Sequence, residues 1–207
     1  MKIKASRKDV AWNAAGTAVS MSSNFILLPF LIRFLSPDEL GLWYAYLAIG
    51  GLVTLFEFGF SPTFSRSISY LWSGARRLRS EGCDIADCDV VDRGQFACLL
   101  AVCRDVYRRI SFIALVLSVG TGYVAFISFS AIPIELMLGS WLLFAFSSLV
   151  NLYYLYYSAL LRGLGKIESD NKIKVVARAL QLATSVAFFV AGLGLLGASL
   201  GYFAYVV

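Results

Sequence analysis

Five stretches of about 20 apolar residues, separated by short polar turns and one long charged loop, constrain this chain more than any other feature. A hydrocarbon core of ~30 Å takes about 20 apolar residues of helix to cross. Spans are expected over about 10–35, 41–61, 111–131, 135–161 and 175–196, with 198–207 reading as the incomplete start of a sixth. The expected fold is all-α: a polytopic transmembrane helix bundle of five full spans plus the start of a sixth, with one cytoplasmic amphipathic helix. Hydrophobic residues make up 59% of the 207 and charged ones 15%, well above the apolar share of a soluble domain, about 45–50%. The closing GASLGYFAYVV has no polar flank and is too short to cross. It reads as the point where a longer protein continues, so the chain is expected to be an amino-terminal lobe. The basic start, MKIKASRK, does not make a signal peptide, because the apolar run behind it continues to Leu35 instead of stopping at a small-residue cleavage site.

Orientation follows from the basic residues, since cytoplasmic loops carry the Lys/Arg excess. With the N-terminus inside, segments 1–9, 62–110 and 162–178 hold every Lys and Arg of the 18 except Arg33. The net charge of +5 then reports topology and attraction to anionic lipid headgroups. No aromatic-and-basic recognition module is present, so nucleic acid is not an expected partner.

The loop 73–110 has two halves. Residues 73–93 mix Arg76, Arg77 and Arg79 with five acids and show no apolar period, which describes a polar link. From Gln95 onward Phe96, Leu99, Leu100, Cys103, Val106, Tyr107 and Ile110 recur at helical spacing. That is the pattern of an amphipathic helix at the inner membrane surface. The four cysteines, 83, 88, 98 and 103, all fall in this loop, where thiols stay reduced. Their spacing and the absence of histidine from the sequence do not make a zinc site. No metal or cofactor is expected, and without a nucleophile–base pair the chain does not read as an enzyme.

Polar residues line single sides of three apolar helices. Asn13, Thr17, Ser20 and Asn24 do so in the first span, Ser147, Asn151, Tyr154, Ser158 and Arg162 in the fourth, and Arg178, Gln181 and Ser185 in the fifth. Hydroxyls alone are explained as glue between helices; Asn, Gln and Arg on the same seams are not. With 1.5 Å of rise per residue, Glu57 falls roughly 24 Å and Arg66 roughly 37 Å along a second helix started at Gly41. Glu57 is then inside the hydrocarbon, where a charge costs ~2.5–3.5 kcal/mol, and it should face a wet cavity, be protonated, or hydrogen-bond another helix. Arg66 sits at the inner interface, with Pro62 able to kink the chain between them. The polar groups gather towards one opening facing the cytoplasm.

Two motifs, RFLSPDELGLW (Arg33–Trp43) and LFEFGFSPTFSRSIS (Leu55–Ser69), resemble the first two spans of bacterial polysaccharide or O-antigen flippases. The turn Arg162–Glu168, RGLGKIE, is similar to the one after that family's fourth span. Glu57-Phe58-Gly59 matches the family's acid-x-Gly motif with Glu where Asp is usual, and Arg66 matches its basic position. The resemblance covers nearly the whole chain but only the amino-terminal of the family's two lobes. It implies an alternating-access transporter in the bacterial inner membrane, moving an undecaprenyl-diphosphate-linked oligosaccharide across it, with a carboxy-terminal lobe as the missing partner. Arg66, Arg162 and Arg178 suit a diphosphate, because guanidinium forks donate in pairs to phosphate oxygens. Asn13, Asn24, Asn151, Tyr154 and Gln181 suit sugar hydroxyls, and Glu57 either shapes the cleft or carries a proton. A cation-coupled multidrug exporter of the same superfamily, or a membrane assembly subunit that transports nothing, are the alternatives.

Overall fold

The computed structural model describes residues 7–75, 92–126 and 133–206. They form seven helices: α1 (Arg7–Phe34), α2 (Pro37–Leu55), α3 (Phe60–Trp72), α4 (Arg93–Phe126), α5 (Ile134–Gly163), α6 (Ile167–Val190) and α7 (Gly194–Val206). The basic N-terminal residues 1–6, the charged link with Cys83 and Cys88, and the end of the expected third span at 127–131 lie outside the described residues.

The turns are set by local chemistry. Between α1 and α2 the Ser36 hydroxyl accepts the Glu39 N–H at 3.3 Å while the Glu39 carboxylate accepts the Ser36 N–H at 2.9 Å. This reciprocal cap, with Pro37 in the first turn, satisfies donors that the helix itself cannot. Between α5 and α6 the chain reverses through Gly165 at φ 74°. The α1–α2 and α6–α7 turns share one end of the bundle, where Phe34 stacks on Phe189 at 6.0 Å. At the other end α3 packs on the end of α5: a Cβ on Gly163 would lie 2.7 Å from the Ile68 side chain and 2.8 Å from the Ser65 carbonyl.

An aromatic layer joins α2, α5 and α7. Trp43, Tyr46, Trp141 and Phe144 are all at most 1% exposed, and Phe144 stacks on Tyr202 at 4.8 Å. The Tyr46 hydroxyl donates to the Met137 carbonyl at 3.0 Å, so the layer buries no orphaned phenol.

The expectation of five full spans and the start of a sixth is overturned. Among the described residues three helices are long and apolar enough to cross a membrane, Ala11–Phe34, Ile134–Gly163 and Ile167–Val190; the bent pair α2 and α3 makes a fourth if counted as one span. The expected second span is interrupted. Phe58 and Gly59 take positive φ of 46° and 75°, and the two helices meet at 43°. Pro62 is not the cause, since it sits in the first turn of α3, where a missing N–H costs nothing. The expected third span is the continuation of the amphipathic stretch: one helix of 34 residues runs from Arg93 to Phe126, and its first half carries too much charge for hydrocarbon. The expected start of a sixth span, α7, has 13 residues, about 20 Å of helix.

Polarity is inside out in the helices that qualify. On α6, Ile173, Val176, Leu180 and Val190 are 50–71% exposed while Asp170, Asn171, Gln181 and Ser185 are buried. Water would penalise that arrangement and lipid favours it. The chain is an all-helical protein whose long apolar helices are consistent with membrane association.

Candidate functional site: three clefts

At the end where α3 meets the α5–α6 turn, a cleft of about 460 Å³ is lined by Ser61, Ser65, Ser69, Arg66, Tyr70 and Arg162, and by no acid among the described residues. Serines at spacing four share a face of α3. Among the described residues the Ser65 and Ser69 hydroxyls have no side-chain partner. Two guanidinium groups and unpaired hydroxyls form a surface for an oxyanion.

Arg162 is oriented from behind. Its Nε donates to Asp170 Oδ2 at 2.9 Å, and the same oxygen takes Lys174 Nζ at 2.8 Å. Lys174 also donates to Ser158 Oγ at 2.9 Å. The Asp170 side chain is 4% exposed against 45% for Arg162, so the carboxylate is fixed and the guanidinium reaches outward. Neither Asp170 nor Lys174 is a residue that sequence reasoning singled out; the i, i+4 spacing within SDNKIK was the available signal.

Arg178 is elsewhere. Eleven residues into α6, about 17 Å from its start, it lines a separate cavity of about 250 Å³ with Asn24, Asn151, Gln181 and Tyr202. Its Nη1 donates to Gln181 Oε1 at 2.7 Å and its guanidinium lies 3.9 Å over the Tyr205 ring. Its Nε is buried without a partner, and no carboxylate pairs with it among the described residues. The three arginines expected to act together are thus divided, two at the mouth and one at mid-helix.

Asn151 also lines a third cleft, of about 590 Å³ between α5, α6 and α7, together with Tyr154, Ser158, Lys174 and Asp170. Asn13 is in none of the three: it is exposed on α1, where its side-chain oxygen accepts from Asn171 Nδ2 at 3.5 Å. Among the described residues, Asp170 is the single acid lining the three clefts.

Glu57 lies at the α2–α3 break. One oxygen, Oε1, accepts the Ser61 N–H at 3.1 Å, capping α3, and the Tyr107 hydroxyl at 3.2 Å, tying the break to α4. Tyr107 is fully buried. That burial, then the Glu57 carboxylate, pushes the Tyr107 hydroxyl well above its ordinary value, so it stays a donor. Of the roles open to Glu57 from sequence, the hydrogen bond to another helix is the one the geometry contains. No cluster of three or more potential metal ligands occurs among the described residues. No protein-family model, curated protein or solved structure matches the chain.

Proposed function

We propose that this chain is the amino-terminal lobe of a bacterial inner-membrane flippase for a lipid-linked, undecaprenyl-diphosphate oligosaccharide, with its N-terminus and the α5–α6 turn on the cytoplasmic side. The observation that carries the reading is the cleft in which Arg66 and Arg162 converge beside Ser61, Ser65 and Ser69, with no acid among its described residues. A diphosphate at the leaflet surface presents acceptors in pairs, and guanidinium groups with flanking hydroxyls meet them. The Arg178 cavity, with Asn24, Asn151 and Gln181, offers donors and acceptors deeper in, where sugar hydroxyls would pass, and Tyr154 adds an aromatic wall beside Asn151. Alternating access rocks two bundles against each other, so the reading includes a second bundle, the carboxy-terminal lobe.

The multidrug-exporter alternative needs a free acid for its cation; among the described residues the acid at the α2–α3 break and the acid lining a cleft are engaged, Glu57 by Ser61 and Tyr107, Asp170 by Arg162 and Lys174. The test is binding of an undecaprenyl-diphosphate glycan to the chain in lipid nanodiscs. Binding is expected to fall at least tenfold in Arg66→Ala and Arg162→Ala, about the effect of one lost charge-assisted hydrogen bond, and amphipathic organic cations are not expected to compete. Competition by the cations, or silence of both arginine variants, would overturn the reading.

A further inference from the structure

The outward reach of Arg162 depends on what holds its other edge. Asp170 takes Nε, and no hydrogen bond of the two terminal guanidinium nitrogens occurs within the described residues. The same carboxylate oxygen accepts from Lys174, which also donates to Ser158 and lines the neighbouring cleft between α5, α6 and α7. One buried acid therefore bridges two cations that line different clefts. Arg162 is left facing Arg66, and Lys174 is kept out of that cleft.

We propose that Asp170 is a positioning residue for anion binding: it fixes the Arg162 guanidinium by its Nε edge so that the paired terminal N–H groups present to a phosphate or diphosphate group beside Arg66. This deepens the reading of that cleft as an oxyanion site and rests on it. Asp170 is set up for the role by its place in the first turn of α6, at the N-terminal end, where a carboxylate is favoured by the helix dipole. Its burial denies it a competing hydration shell.

The experiment titrates inorganic pyrophosphate, and separately an undecaprenyl-diphosphate lipid, onto the full chain in nanodiscs. It compares wild type, Arg66→Ala, Arg162→Ala, Asp170→Asn, Lys174→Met and the double variant Arg162→Ala/Asp170→Asn. If the ligand is the phosphate group itself, both probes respond alike; if the lipid tail is needed, only the second binds, and the same comparison is read from it. Asp170→Asn is expected to weaken binding about fivefold in the wild-type background and to add nothing once Arg162 is gone, the non-additivity expected of contacting residues. Lys174→Met should leave affinity within about twofold, since Lys174 lines the neighbouring cleft and not the one shared by Arg66 and Arg162. Tighter binding by Asp170→Asn would make Asp170 a competitor for Arg162 and overturn the proposal, as would equal weakening with and without Arg162. Silence of Arg162→Ala itself would instead remove the underlying reading of the cleft, so the two failures are distinguishable. Asp170→Glu keeps the charge and displaces it by one methylene. If Asp170→Asn does not fold, the longer acid carries the same test, and wild-type affinity in it would equally refute the role.

Discussion

Replacing Glu57 by alanine tests whether the acid in the apolar second segment is structural. Its Oε1 serves two donors, the Ser61 N–H at the start of α3 and the Tyr107 hydroxyl on α4. Losing a side-chain cap costs about 1 kcal/mol. An interhelical hydrogen bond in a membrane protein contributes about 0.6 kcal/mol on average and ~1.7 at most. Glu57→Ala should therefore destabilise by about 2 kcal/mol. Tyr107→Phe removes only the interhelical arm and should cost about 1 kcal/mol. Glu57→Gln keeps an acceptor oxygen and should cost less than either, under about 1 kcal/mol. The assay is reversible denaturation in detergent micelles of the two singles and the double, read as a cycle. If Glu57→Ala and Tyr107→Phe add to within about 0.3 kcal/mol, the two side chains are not coupled and the account of the break is wrong.

Gly163→Val forces a branched side chain into the contact with Ile68 and the Ser65 carbonyl; it should destabilise by about 1–3 kcal/mol and weaken pyrophosphate binding, because Arg66 and Arg162 are carried by the two helices it pries apart. In a variant with Cys83 and Cys88 replaced by alanine, maleimide at neutral pH should label Cys98, which is exposed, and spare Cys103, which is 2% exposed and whose thiol is pushed up to about 12 by burial; mass spectrometry showing Cys103 modified at a comparable rate would contradict the packing of α4. A single cysteine in place of Lys166 should react with a membrane-impermeant reagent in inverted vesicles and not in intact cells, and the reverse result would invert the proposed topology.

The apolar runs and the polar seams were legible because helical period and hydrophobicity are local properties of a sequence. The number of crossings was not. Apolar character continues through Leu55–Phe60, so nothing in the hydropathy marks the break; the signal was the Glu-Phe-Gly triplet itself, in which an acid two residues before a glycine supplies both a positive-φ site and a cap. The charged and apolar halves of α4 were separated by composition, yet no breaker stands between Arg109 and Phe112, and the helix runs through. The division of the arginines was within reach of simple arithmetic: Arg162 and Arg178 flank the Gly165 turn unequally, and a rise of 1.5 Å per residue already sets Arg178 about 17 Å into α6. What no spacing could supply was Asp170 as the partner of Arg162, because that pair closes across the turn, eight residues apart on two different helices.

The mechanical grouping of the helices bears on the proposed transport path. Arg66 rides on α3, which is joined to α2 by a turn of short i to i+3 hydrogen bonds, from Phe56 to Val53 at 3.2 Å and from Phe58 to Leu55 at 3.1 Å. Such a junction resists bending less than a continuous α-helical ladder does. On its other side α3 packs closely on α5 at Gly163, through the Ile68 side chain and the Ser65 carbonyl, so Arg66 and Arg162 are carried by two helices in direct contact. Arg178 belongs to α6, and its cavity has the Trp43, Gly50 and Thr54 face of α2 for a wall. Any movement of α2 at the Glu57 break would therefore change the inner cavity and strain the layer in which Trp43 and Tyr46 of α2 pack on Trp141 and Phe144 of α5. In the proposed reading an anionic group is met at the mouth by Arg66 and Arg162 and in the deeper cavity by Arg178, two steps that the separation of the guanidinium groups sets apart.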